Sequence, residues 1–136
     1  MPQAKPFYAP PVTVSVTGLS SLANTAVVSE STEHDNTTDR YMWVDIYVLF
    51  TAAATTTGTV DVYALEGNSS GSLSSTANTS NMKRIGSIEL NGTTPASKLL
   101  MYDDPASFWK LHFINSSGAA LASETVTIRG VNPESV

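Results

Sequence analysis

The sequence predicts an all-β domain: an antiparallel β-sandwich, jelly-roll-like, with about eight strands. Three observations predict it. Short segments carry apolar residues at every second position, and clusters of Gly, Pro, Asn, Asp and Ser separate those segments. No stretch sustains helical periodicity over three turns. A chain of 136 residues suits one domain with one core, and with no cysteine its stability has to come from packing or oligomerisation.

Ser and Thr together supply 35 of 136 residues against 19 charged ones, so the surface is neutral and polar, as in many extracellular and virion β-proteins. The net charge of −5, with cations scattered from Lys5 to Arg129, argues against nucleic-acid binding. No apolar run approaches the ~20 residues of a membrane helix. The first residues contain Lys5 but no apolar core, so no secretory signal is read there.

Residues 40–50, Arg-Tyr-Met-Trp-Val-Asp-Ile-Tyr-Val-Leu-Phe, form the expected central strand. Alternation places Met42, Val44, Ile46, Val48 and Phe50 toward the core. The other face carries Tyr41, Trp43, Asp45, Tyr47 and Leu49. Aromatic bodies with polar handles suit a second packing layer or the surface of another protein, so Tyr41, Trp43 and Tyr47 are candidate partner-interface residues.

Before that strand, four prolines in residues 1–11 forbid helix or a central strand and predict an extended N-terminal arm, with Phe7 and Tyr8 as candidate docking side chains. Residues 12–130 are expected to form the sandwich. Val12, Val14 and Val16 point inward from its first strand, residues 19–25 form a packed loop, and 26–31 a second strand.

After it, 51–58 reads as a loop joining a hairpin. Val60, Val62 and Ala64 define a strand, 67–81 a long polar loop, and 82–90 a strand with a bulge at Gly86. Asn91-Gly92 signals a turn. A short strand at 98–102 ends at Asp103-Asp104-Pro105. A second aromatic strand spans 107–115 with Trp109, Leu111 and Phe113 on one face and Phe108, Lys110, His112 and Ile114 on a half-covered other, 124–129 closes the fold with Val126 and Ile128 inward, and 131–136 is a tail.

Chemistry-bearing residues do not assemble into a motif. Glu33, His34, Asp35 and Asp39 lack the alternating oxygen ligands of a calcium loop and suit a turn that satisfies its own backbone. Asp45 and Asp61 would form a glycosidase-like pair only if their strands were matched, and like charges placed opposite each other destabilise a ladder. Asp103 and Asp104 suit a solvated turn, and His112 a packed or surface position. No catalytic, cofactor-binding or metal residue is assigned, and no enzyme activity is expected.

Phe108-Trp109-Lys110-Leu111-His112-Phe113-Ile114-Asn115-Ser116-Ser117-Gly118-Ala119-Ala120-Leu121-Ala122, followed by a strand and Asn132-Pro133-Glu134-Ser135, resembles a pattern of small structural proteins of tailed bacteriophages. The stretch from Asp35 to Asp45 resembles the same group's approach to its central strand. What the resemblance implies is a β-sandwich capsid decoration (cement) protein on the virion surface. Its partners would be the major capsid protein and further copies of itself, as a trimer, without nucleic acid or membrane. Such proteins work through whole surfaces, so no family residues transfer. The long 67–81 loop departs from the pattern and leaves a host-facing role open. The alternative function is a carbohydrate-binding or host-receptor-binding module, since Trp and Tyr on a sheet face also stack on sugars.

Overall fold

A computed structural model describes residues 4–71, 73 and 81–135. Among them are ten strands: β1 Ala4–Tyr8, β2 Val12–Val14, β3 Val27–Ser29, β4 His34–Asp35, β5 Trp43–Ala52, β6 Thr59–Gly67, β7 Met82–Glu89, β8 Ala96–Asp103, β9 Phe108–Ser116 and β10 Leu121–Ser135. Sheet A has the order β1-β10-β5-β8, with β2 beside β1 on the same flank of β10. Sheet B has the order β3-β9-β6-β7, with β4 also on β9. Every ladder is antiparallel.

With β1/β2 and β3/β4 each taken as one interrupted strand, eight positions remain, and all connections between them except β6–β7 cross from one sheet to the other. That is the jelly-roll order. The expected 51–58 loop therefore starts inside β5, and residues 53–58 bridge the sheets and do not close a hairpin, because β5 and β6 lie in different layers. The Asn91-Gly92 turn likewise carries the chain from β7 in sheet B to β8 in sheet A.

The core lies between the inner faces. Val44, Ile46, Val48 and Phe50 of β5 and Val126 of β10 oppose Val60, Val62 and Ala64 of β6 and Leu111 and Phe113 of β9. Phe50 meets Phe113 edge-on at 6.1 Å, and Tyr102 meets Trp109 edge-on at 5.1 Å, two inter-sheet pairs each worth about 0.5–1.5 kcal/mol beyond burial. The Tyr102 hydroxyl also donates to the Glu66 carboxylate, tying β8 to β6. Burial, then this bond, raises the Tyr102 phenol well above its ordinary value.

Residues 19–25 pack as expected. A short 3-10 turn at Leu19–Ser21 buries Leu19, and Leu22 is buried beside it. Asn115, wholly buried, organises this end: its amide donates to Leu22 O and Ala119 O, and its oxygen accepts from Ser117 N. The Gly86 bulge is present too, since Val62 pairs with Gly86 and Tyr63 with Arg84, leaving Ile85 as the extra residue. The 67–81 loop falls largely on residues 72 and 74–80, outside the described residues.

Two inward assignments fail at the rim of the sandwich. Val12 is 58% exposed because β2 is an edge strand, and Met42 is 55% exposed because it precedes the first β5 residue. The expected arm and tail are one ribbon. Ala4–Tyr8 pairs with Val131–Ser135, so residues 131–135 carry β10 onward, and both proline-bearing segments are strands. The physical reason lies in their register. Ala9 N donates to Gly130 O, which turns the odd-numbered residues of β1 toward β10 and sets Pro6 opposite Pro133 at a non-hydrogen-bonded position. Each proline then directs its missing donor to a free edge, where a ladder tolerates it.

Candidate interaction surface

Ladder register lays out the outer face of sheet A row by row. Tyr8, Val131, Trp43 and Asp103 stand in one row, with Arg129, Asp45 and Met101 in the next. Thr13, Thr127, Tyr47 and Leu99 follow, then Thr125, Leu49 and Ser97. The face is therefore mainly aromatic, aliphatic and hydroxyl-bearing. Leu99 and Met101 are 60% and 57% exposed, and Tyr47 is exposed between them and β10.

One ion pair stands in the middle. Arg129 Nε donates to Asp45 Oδ2 at 3.2 Å, and its guanidinium lies 4.3 Å from the Tyr8 ring centroid. Cross-strand placement makes this possible, because Arg129 and Asp45 are direct ladder partners and Tyr8 is one row away. The pair itself helps to line an open depression of ≈ 200 Å³, together with Pro11, Tyr47, Leu99, Thr127 and Ile128.

Of the five interface residues expected from sequence, the structure gathers three here: Tyr8, Trp43 and Tyr47. Phe7 lies on the opposite side of the ribbon, in the row of Asn132. Tyr41 leaves the face altogether. Arg40 has φ 52°, and Asn36 bonds both Tyr41 N and Tyr41 O, so the alternation of β5 does not extend back to it. Sequence reasoning missed Leu99, Met101 and Arg129. In Lys98-Leu99-Leu100-Met101-Tyr102 a continuous apolar run hides the period of two that buries Leu100 and Tyr102 and turns Leu99 and Met101 outward.

The titratable groups separate. Asp45 and Asp61 occupy the outer faces of different sheets, and Asp61 stands 3.6 Å from Arg84. Sheet B also divides two histidine pairs between its faces. Outside, Ser29 Oγ and His112 Nδ1 are 2.7 Å apart. Burial, then Lys110, holds His112 below its ordinary value, which favours the neutral ring in this bond. Inside, His34 Nε2 donates to both oxygens of the buried Glu30 at 3.0 and 2.9 Å, the Leu111 N–H donates to Oε1 at 2.8 Å, and the His34 ring lies 4.4 Å from Trp109. The hydroxyl and the carboxylate thus engage different imidazoles, not one. Asp35 accepts from Thr37, and Glu33 from Gly71 N at 3.1 Å. Among the described residues no three His, Asp or Glu side chains converge as metal ligands.

No family model and no curated protein matches the chain. Among solved structures, the SPBc2 prophage-derived protein YomS is similar with a TM-score of 0.42 and 15% identity, over 94% of this chain and 96% of that one.

Proposed function

We propose that this chain is a non-enzymatic structural protein of a phage virion, of the capsid decoration (cement) kind. It self-associates, as a trimer, on the shell surface and contacts the major capsid protein. The observation that carries the reading is the outer face of sheet A, where Trp43, Tyr47, Leu99, Met101 and Tyr8 surround a single Arg129–Asp45 pair. Exposed apolar side chains grouped around one charge pair have the make-up of a protein contact surface. The sequence resemblance to phage decoration proteins points the same way.

The carbohydrate reading has less behind it. Sugar stacking uses open aromatic faces, whereas Arg129 covers one face of Tyr8 and the most exposed neighbours, Leu99 and Met101, are aliphatic. The test adds purified protein to shells that lack it, alongside sedimentation of the free protein at micromolar concentration. Saturable binding and a free oligomer are the expected results. A clean monomer that leaves shells undecorated would overturn the proposal.

A further inference from the structure

We infer that the chain assembles head to tail, the β1–β10 ribbon of one copy packing through Phe7 into the Tyr47–Leu99 depression on sheet A of the next. The inference rests on the self-association part of the proposed function and names the two surfaces involved.

The first support is the position of the ribbon. β5 last pairs with β10 at Trp43–Val131, while β1 continues to pair with β10 out to Ser135. Ala4–Phe7 and Asn132–Ser135 therefore run as a two-stranded ribbon beyond the four-stranded part of the sheet. Such a ribbon is marginal in water unless something packs on it. From Lys5 to Tyr8 every residue of β1 is exposed, with Phe7 and Tyr8 at 49% each.

The second support is what the edges forbid. Pro6 and Pro133 remove a donor from both free edges of the ribbon at the same level, so a further strand cannot pair continuously with either. The opposite edge of sheet A is also guarded. Lys83 Nζ donates to Asp103 O on β8 at 2.6 Å, and Lys98 of β8 donates to Ser87 O of β7 in the facing sheet at 3.1 Å. With strand addition disfavoured on both flanks, cover for the ribbon has to come through its side chains.

The third support is complementarity within one chain. Arg129 already lies over Tyr8, whereas Phe7 points to the other side of the ribbon and is the projecting apolar group. The depression between Pro11, Tyr47, Leu99 and Thr127, with the Arg129–Asp45 pair along one side, is the recessed one. A projection and a recess at different places on the same molecule make a heterologous contact, which closes into a ring when the rotation permits. Face-to-face packing about a two-fold axis would leave Phe7 uncovered.

The test uses the absence of cysteine. Phe7→Cys and Leu99→Cys are introduced singly and together into the full chain, and the protein is oxidised at micromolar concentration. Within one chain the two sites are three strand spacings apart across the sheet, about 14 Å, and five residues apart along it, too far for a disulfide, so any bond joins two copies. The double variant is expected to give a reducible ladder ending at a closed ring, with many-fold less cross-linking in either single variant. Single variants that cross-link as well as the double would overturn the inference in favour of two-fold packing. An oligomer by sedimentation in which the double variant stays unlinked would overturn it and leave self-association standing. A monomer would remove both.

Discussion

The ring of Tyr41 occupies the space in which a Cβ on Gly130 would stand. Gly130 faces the core opposite Val44, so the tyrosine folds over the backbone of β10 at the end of the sandwich. Gly130→Ala is expected to cost about 1–3 kcal/mol, since the methyl group has to displace an aromatic ring. Gly92→Ala, with open space but φ 63°, should cost about 1 kcal/mol through backbone strain alone. Urea titrations compare the two. Equal losses would mean that the ring yields freely.

Glu30 is the anchor between β3, β4 and β9. Its buried carboxylate accepts from His34 and from the Leu111 N–H. Glu30→Ala strands the Leu111 donor and should cost about 2–4 kcal/mol, with Glu30→Gln losing less because one acceptor remains. Thermal melts at pH 7 measure both. A loss below about 0.5 kcal/mol for the alanine variant would place this bond outside the stabilising set.

Glu124 presents the opposite case. Its Oε2 is buried with no hydrogen-bond partner among the described residues, and desolvation raises its carboxyl above the ordinary 4.5. A folded-state value above the unfolded one means that the folded protein holds the proton more tightly, so this group weakens the fold as pH rises through that window. Glu124→Gln should therefore raise the melting midpoint at pH 7, by up to about 1 kcal/mol of stability, with the gain shrinking toward pH 4. An unchanged difference across that range would contradict the assignment.

His112 gives a separate acid sensitivity. Burial, and secondarily Lys110, holds it below the ordinary 6.5, so the unfolded chain protonates first as pH falls. Stability from this group is complete above pH 6.5 and declines below it until the folded imidazole also protonates. The groups that face it are Ser29, Lys110 and Tyr63, whose ring centroid is 6.4 Å away. Stability measured from pH 8 to 5 should fall, and His112→Gln should flatten the slope. An identical slope in the variant would assign the acid loss to another group.

Leu99→Asp addresses the outer face of sheet A. At 60% exposure the substitution should leave the melting midpoint within about 0.5 kcal/mol of the parent while weakening self-association and shell binding together. Sedimentation and shell occupancy read the two effects. Undiminished association would move the contact off this face.

Where alternation was strict and both layers were apolar, sequence and structure agree residue by residue. Val44, Ile46, Val48 and Phe50, then Val60, Val62 and Ala64, and then Trp109, Leu111 and Phe113 all face the core. What alternation does not encode is which layer a strand joins, and so β5 and β6 were legible as strands but not as members of different sheets. Tyr41 looked like part of the β5 pattern because a left-handed Arg40 and an Asn36 bridge leave no periodic trace. Prolines near both ends read as loose segments. Only the ladder parity, with Pro6 facing Pro133, shows how two such segments pair.

The placement of β10 also sets the order in which the fold can close. Among the described residues β1 and β2 have ladders only with β10, and β10 itself separates them from β5. Strands formed from residues 4–14 must therefore wait for residues 121–135 before either finds a hydrogen-bonded neighbour. During synthesis residues 4–14 have no ladder partner until residues 121–135 emerge, a long-range closure of the kind that slows folding relative to domains built from local contacts.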